Sequence, residues 1–519
     1  MSNPEDGTVS LSEDSRKSLA ALIPIEMARR CRLVPLELQG NVLSIGMEDP
    51  DAWKILDTLR FRTGFEVQGV KKDSLEMDQL LDLYYPRQKT VLEGLSDELR
   101  RESQGILDGR GGLSGSHTHN LEEAFASAPV VRWVNLIMEE GIRVRASDIH
   151  FESCEESLRV RMKRDGVLYE LDRLPKKLSD PVILRIKVMA GLNSAENRLP
   201  QDGRIHVRQA SRDVDMRVST LPTLQGESVV IRILDQSNTS LSLEDLGFSP
   251  EYIQTLRELA RKPSGMILVT GPTGSGKTTT LYACLREIDR KRLKVVTVED
   301  PIEYELEDMV QIPVQESIGV GFSRILRSIL RHDPDIIMIG EIRDEDTAKI
   351  ALQASLTGHL VISTLHTNDA PGAVTRLIEM GLEPFLIAAS LKGVLAQRLV
   401  RKLCPACRSV FSASTAKLPA SFGSLQDRTL YEAKGCNQCL GFGYKGRHAV
   451  GELLVVSALM RSLIAQEADI EKLREVARSE GMRTLEESAR EKLFEGVTSL
   501  DEYLRFRTEI DPKSRPEKP

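Results

Sequence analysis

At 519 residues the chain is too long for one ordinary hydrophobic core, so about two to four domains are expected. An apolar fraction of 41% and a charged fraction of 28% are those of a globular protein, and a net charge of −7 with both signs mixed along the chain removes the broad basic footprint of a general nucleic-acid binder. No apolar run approaches the roughly 20 residues needed to span a bilayer, and the opening MSNPEDGTVSLSED is acidic where a signal peptide would be basic and then apolar, so a cytosolic protein that meets membranes only through partners is expected.

Residues 1–17 lack an apolar rhythm and read as a disordered lead. Residues 18–88 read as a small α/β domain. It has a helix around IPIEMARRC, short strands in VPLEL and VLSIGM split by a turn at Gln39-Gly40-Asn41, and a helix through AWKILDTLRFRTG. Residues 89–128, a charged stretch followed by GRGGLSGSHTHN, read as a flexible linker. Residues 129–242 form a second domain, α+β. APVVRWVNLIMEEGIRV places Val130, Val134, Ile137, Met138 and Ile142 on one helical face, and strands follow in DIHFES, LRVRMKRDG, VLYELDRL, GRIHVR, VDMRVST and SVVIRIL. In residues 243–397 the apolar runs MILVTG, VVTVED, IIMIGE and LVISTLH alternate with helical stretches, as in a parallel sheet whose chemistry lies at the carboxyl ends of its strands. Residues 398–456 carry paired cysteines. Residues 457–519 are helices rich in Glu, Arg and Leu that end in the polar tail DPKSRPEKP.

MILVTGPTGSGKTTTLYACL holds G-x-x-x-x-G-K-T between an apolar strand and a helical stretch, the context a phosphate-binding loop requires. Gly271, Gly274 and Gly276 let backbone N–H groups turn inward around phosphate oxygens, Lys277 can reach the β- and γ-phosphates, and the Thr278 hydroxyl can ligate Mg²⁺. The ATP-binding set is Gly271, Pro272, Thr273, Gly274, Ser275, Gly276, Lys277, Thr278 and Thr279.

Binding alone does not hydrolyse, and two further strand ends supply acids. VVTVEDPIEYE brings Glu299, Asp300 and Glu303 together, and DPDIIMIGEIRD presents Glu341 where Gly340-Glu341 replaces the more usual aspartate. Such carboxylates position attacking water or hold Mg²⁺ through its water shell, and Glu341 is the first candidate. Solvated turns after each strand are the plain alternative. In TGHLVISTLHTNDA, His366 stands at a strand's carboxyl end, where an imidazole can sense a γ-phosphate; His359, at the other end, reads as structural.

Four of the seven cysteines form Cys404-x-x-Cys407 and Cys436-x-x-Cys439. In a reducing compartment such pairs read as a closed Cys₄ zinc site before disulfides; unliganded thiols and redox chemistry are the alternatives.

The phosphate loop, VTVEDPIEYE, IIMIGEIRD and GHLVISTLHTND, in that order, resemble the secretion ATPase superfamily, as do ASDIHFE, RLPQDGRI and STLPTLQGE before them. Within it, EPFLIAASLKGVLAQRLVRKLCPAC and the two cysteine pairs look most like the type II secretion ATPases, with the assembly ATPases of type IV pili as close relatives. The resemblance implies an α/β fold: a RecA-like P-loop core, a preceding α+β (PAS-like) domain, a small N-terminal α/β domain and a Cys₄ zinc segment linked to assembly rather than hydrolysis. It implies a homo-hexameric motor using ATP, Mg²⁺ and Zn²⁺. Glu341, Glu299, Glu303 and His366 are then catalytic, and Thr278, Asp300 and Glu341 serve Mg²⁺. Arg204 and Arg217 of the preceding domain would reach the phosphates, although either alone equally suits a salt bridge on a basic sheet face. Arg324, Arg327 and Arg331 are candidates for the nucleotide or an interface. The implied partners are the cytoplasmic part of a single-pass inner-membrane secretion protein, docked through residues 18–88, and a polytopic platform protein. A DNA translocase is the other reading of a P-loop with four cysteines, but aromatic residues are only 4% and nucleic acid is not expected as a partner. A cyclic-dinucleotide sensor in the first domain would need an arginine- and glycine-rich entry that residues 11–30 lack.

Overall fold

The computed structural model describes residues 31–47, 65–73, 91–105, 128–209, 212–235, 241–411 and 429–510, with isolated positions between 19 and 84. The expected disordered lead and the C-terminal tail lie outside the described residues. The chain divides into two units, Met1–Arg110 and Gly111–Pro519.

In the first unit, β1 (Leu33–Gln39) and β2 (Val42–Met47) pair antiparallel around the expected turn, with Gln39 opposite Val42. Gly40 takes φ +59°, which its lack of Cβ permits. A strand not read from the sequence, β3 (Glu66–Lys71), adds parallel to β2. Ile23, Leu33, Leu43, Ile45, Leu59, Val67 and Met77 form the core. The stretch read as the start of a flexible linker is instead helix α1 (Val91–Gly105). Its dense charges hide leucines 92, 95 and 99 at helical spacing, and Leu95 and Leu99 are buried. Residues 106–127 lie outside the described residues.

The second unit opens with α2 (Ala128–Arg143), strands β4 (Asp148–Ser153), β5 (Ser157–Arg164) and β6 (Val167–Pro175), helix α3 (Ser179–Met189), and strands β7 (Gln201–Gln209), β8 (Arg212–Thr223) and β9 (Gly226–Asp235). The strands make one antiparallel sheet in the order β6-β5-β4-β9-β8-β7, and the helices pack together on it. Alternation along β5 sends Leu158, Val160 and Met162 inward. On α2, four of the expected face residues are buried with Trp133, whose indole N–H donates to Asp172 at 3.2 Å, whereas Ile142, in the last turn, is half-exposed.

The core follows: α4 (Pro250–Ala260), β10 (Gly265–Thr270), α5 (Lys277–Arg286), β11 (Val295–Glu299), β12 (Val310–Pro313), α6 (Phe322–Ile329), β13 (Ile336–Ile339), α7 (Glu345–Leu356), β14 (Leu360–Leu365), α8 (Ala370–Glu379), α9 (Pro384–Ser390) and β15 (Leu391–Leu403). β16 (Ser409–Phe411) and β17 (Leu430–Glu432) make a small separate hairpin ladder, and β18 (Tyr444–Val455) returns to the main sheet. That sheet runs β12-β11-β13-β14-β10-β15-β18, parallel except for β18. Every residue of β10, β11, β13 and β14 is buried, because helices cover both faces. The sequence boundary at 397/398 therefore moves. β15 runs unbroken through it to Leu403 and β18 is a core strand, so the cysteine segment is an excursion between two neighbouring strands rather than a successor to the core. Helices α10 (Ala458–Ala465), α11 (Ile470–Ser479), α12 (Leu485–Phe494) and α13 (Leu500–Ile510) close the chain.

Candidate functional site

The loop between β10 and α5 is shaped by what its glycines lack. A Cβ on Gly271 would lie 2.5 Å from the Gln397 carbonyl oxygen and 2.6 Å from Ser275 Oγ; one on Gly276, where φ is +87°, would meet Gln397 Nε2 at 2.8 Å. Gln397, on β15 and 1% exposed, is the clamp: its amide donates to Ser275 O at 2.8 Å and its oxygen accepts from Thr280 Oγ1 at 2.7 Å. Lys277 opens α5 and folds its ammonium back onto the carbonyls of Gly271 and Pro272, at 2.8 and 3.1 Å. Burial pushes its pKa down, against the pull of the Glu341 charge. Pro272, Thr273 and Gly274 are exposed at the mouth of the loop, and Thr278 and Thr279 are half-buried behind it.

Glu341 follows β13 with its side chain 18% exposed. One oxygen accepts from Arg343, and the other lies 3.3 Å from His366 Nε2. Burial raises the carboxyl pKa, but Arg343 and His366 outweigh it and hold it below the ordinary 4.5. The glycine before it has a packing reason: a Cβ on Gly340 would press to 3.3 Å from Val298 O and 3.4 Å from Glu299 Cα. Asp300 lies 3.8 Å from the same Arg343.

Glu299 has other surroundings. It is 2% exposed and accepts from Tyr282 Oη on α5, from Thr297 Oγ1 at 2.6 Å and from Gln311 Nε2 at 3.1 Å. That carboxylate ties β11 to the helix of the phosphate loop. Glu303 meets Arg217 of the preceding domain at 3.5 Å, and Arg217 also donates to Ile302 O at 3.1 Å. Arg204, opposite Arg217 on β7, is exposed. His359 Nδ1 lies 2.9 Å from Ala354 O at the end of α7, in keeping with a structural role. Arg324, Arg327 and Arg331 are exposed along α6 and just beyond, and none has a carboxylate partner among the described residues.

The four cysteines converge although two strands and 28 residues separate the pairs. Sulfur separations are 3.9 Å for Cys404–Cys436, 3.8 Å for Cys407–Cys439 and 3.7 Å for Cys436–Cys439. Four thiolates around zinc at Zn–S distances of about 2.3 Å stand roughly 3.8 Å apart, so the set fits that ion. Burial raises the Cys439 thiol, but the amides of Cys436 and Gly443, each 3.1 Å from its sulfur, and the neighbouring thiols bring it down to about 7. The turn after β5 docks on this knuckle: Arg164 donates to Cys439 O at 3.3 Å and lies over Phe442, Tyr169 packs on the same ring, and Asp165 accepts from Gly446 N at 3.2 Å.

Sequence reasoning missed Gln397, Arg343 and Tyr282. The signal for the first was present, since Gln397-Arg398 is a polar pair inside an apolar strand of a parallel sheet.

Comparisons with known proteins identify the family. The family described as "Type II/IV secretion system protein" matches residues 123–505, and the MshEN domain matches residues 8–91. The chain is 50% identical over 393 residues to type II secretion system protein E of Pseudomonas aeruginosa, covering 76% of this chain and 78% of that one. It is 41% identical to protein E of Aeromonas hydrophila, covering 96% and 99%, and 41% identical to the type IV pilus assembly ATPase PilB of Myxococcus xanthus, covering 95% and 87%. Among solved structures, the pilus retraction motor PilT with bound ADP is similar at 26% identity and TM-score 0.50, covering 73% of this chain and 97% of that one. The ATPase DotB of Legionella pneumophila shares the fold at 22% identity and TM-score 0.55, covering 73% and 96%. Among the described residues no helix is long and apolar enough to cross a membrane.

Proposed function

This chain belongs to the type II/IV secretion system protein family and is an ATPase, and from that premise we propose that it is the hexameric motor of a type II secretion machine. The observation that carries the motor reading is Arg217: a side chain of the preceding domain bonds to Ile302 O and lies beside Glu303, in the same acidic segment that follows β11. Movement of that domain and the state of the nucleotide are thereby mechanically tied.

In this reading Lys277 and the loop amides of 271–279 bind the ATP phosphates. Mg²⁺, when bound, supplies charge neutralisation between them, with Thr278, Asp300 and Glu341 as the residues that would hold it directly or through water. Glu341 orients the attacking water, His366 fixes that carboxylate, and Glu299 and Glu303 serve the same reaction, the first by tying β11 to α5 and the second by receiving Arg217. Arg204 and Arg217 complete the phosphate site on domain closure. The cysteines hold a structural zinc ion. What favours type II secretion over the alternative, type IV pilus assembly, is a type II protein E that is 50% identical over 393 residues; over nearly the whole chain a type II protein E and a pilus ATPase are each 41% identical.

Residues 18–88 are proposed to dock a single-pass inner-membrane secretion protein, holding the cytoplasmic ring at the membrane beside a polytopic platform protein; nucleic acid has no part. Deleting residues 1–88 is expected to release the enzyme from membranes and stop protein export while ATP binding persists. A strain lacking the chain that loses surface pili and keeps its exported proteins would assign the motor to pilus assembly; membrane attachment and export unchanged by the deletion would move docking elsewhere.

A further inference from the structure

Arg398 follows the Gln397 clamp on β15 and is only 8% exposed. Its guanidinium lies against the phosphate loop: a Cβ on Gly271 would stand 3.1 Å from its Nη1. That nitrogen donates to Gln397 O at 3.1 Å, and Nη2 reaches Asn368 O and Oδ1 at 3.4 and 3.3 Å, both long for N–H···O bonds. The side chain thus spans the carboxyl end of β10, from β15 on one side to the loop beyond His366 on the other. The same two loops are stapled by Thr270 Oγ1, which accepts from Thr367 N at 2.8 Å.

What Arg398 lacks is a counter-charge. Among the described residues no carboxylate pairs with it, and the acids whose charge acts on it are engaged elsewhere: Glu509 pairs with Arg505 at 3.2 Å, Glu452 accepts from Ala370 N at 2.9 Å, and Asp369 pairs with Arg474 and caps α8. Buried cations in proteins are ordinarily paired, because desolvation is otherwise uncompensated. Here burial lowers the Arg398 pKa, only partly offset by Glu509, Glu452 and Asp369 at longer range, and its charge in turn pushes the Lys277 ammonium down. Two poorly compensated cations therefore share one small loop built to face phosphate.

We propose that Arg398 is a positioning residue of the ATP site, its buried guanidinium joining the phosphate loop to the loop after His366 and finding its counter-charge in the bound nucleotide phosphates. The proposal rests on ATP binding at the 271–279 loop and adds a residue that lies outside that loop and outside the acidic strand ends. It makes a signed prediction, since an uncompensated buried charge weakens the nucleotide-free fold and strengthens the bound one.

The test compares melting temperatures of the full chain without nucleotide and with saturating Mg-ADP, together with ADP affinity, for wild type, Arg398→Met, Arg398→Lys and Lys277→Ala. For Arg398→Met the expected result is an unchanged or higher melting temperature without nucleotide, a smaller rise on adding ADP, and affinity reduced roughly tenfold or more. Arg398→Lys, which keeps the charge, should lose less affinity. If Arg398→Met melts lower without nucleotide, or binds ADP like wild type, or if Arg398→Lys is as impaired as Arg398→Met, the proposal is overturned. Absence of any ADP-induced rise in wild type would instead defeat the ATP-site reading itself, and Lys277→Ala fixes what that loss looks like.

Discussion

Replacing Glu341 by Gln isolates the charge at the centre of the site. The amide keeps the length of the side chain and can still accept from Arg343, so the packing around residue 341, where Gly340 sits against Val298 and Glu299, is undisturbed. What is lost is the anion that Arg343 and His366 hold below the ordinary carboxylate pKa of 4.5. That carboxylate is ionised throughout the neutral range. Removing a positioned acid or base slows turnover about 10²- to 10⁴-fold, which at about 1.4 kcal/mol per decade is roughly 3–5 kcal/mol of transition-state stabilisation. Steady-state phosphate release measures the loss, and a fluorescent nucleotide titration measures binding separately. Expected are turnover down by at least about 10² and nucleotide affinity within a few-fold of wild type. Turnover within a few-fold of wild type would refute the assignment, and loss of binding would make Glu341 structural. The sign of the pH effect follows. A folded pKa below the unfolded value contributes stability above about 4.5, and that contribution is lost as pH falls through the folded pKa; in Glu341→Gln this acid-side loss should be absent.

Purified protein should carry about one zinc per chain, and Cys404→Ser should release it and free the turn at Asp165 for proteolysis; elemental analysis finding no zinc would remove the metal from the account. Gln397→Leu leaves Ser275 O and Thr280 Oγ1 without their partner, so a loss of roughly 1–3 kcal/mol in stability with weakened nucleotide binding is expected from denaturant melts and titration; an unaltered affinity would show that the clamp does not shape the loop. Glu502, 0% exposed, joins Arg401 on β15 to Arg505 on α13, and Glu502→Gln should destabilise the fold by about 3–5 kcal/mol at neutral pH, with a midpoint like wild type refuting that role.

The phosphate loop, the acids at the ends of β11 and β13, His366 and both cysteine pairs were legible in the sequence because each lies within one short continuous segment. A strand followed by Gly-rich chain and a helix is a local arrangement, and all-apolar runs ending in charged residues mark strands buried on both faces whatever their neighbours are. The helix α1 escaped because its charge density hid its leucines, and β3 because its six residues, EVQGVK, hold two valines three apart among polar residues and one glycine, which is not a strand period.

Tertiary structure decided what depends on strand order. Gln397 reaches Ser275 across 122 residues of sequence only because β15 lies beside β10, and the same adjacency sets Arg398 under Gly271 and carries the core through the boundary drawn at 397. Likewise Arg217 meets Ile302 over 85 residues and Arg164 meets Cys439 over 275, contacts fixed by how one domain packs on another. Sequence names the candidate groups for chemistry, since their spacing along the chain is their signature; which groups hold them in place is settled by packing, where residues far apart in the chain become neighbours and burial decides whether a charge is compensated.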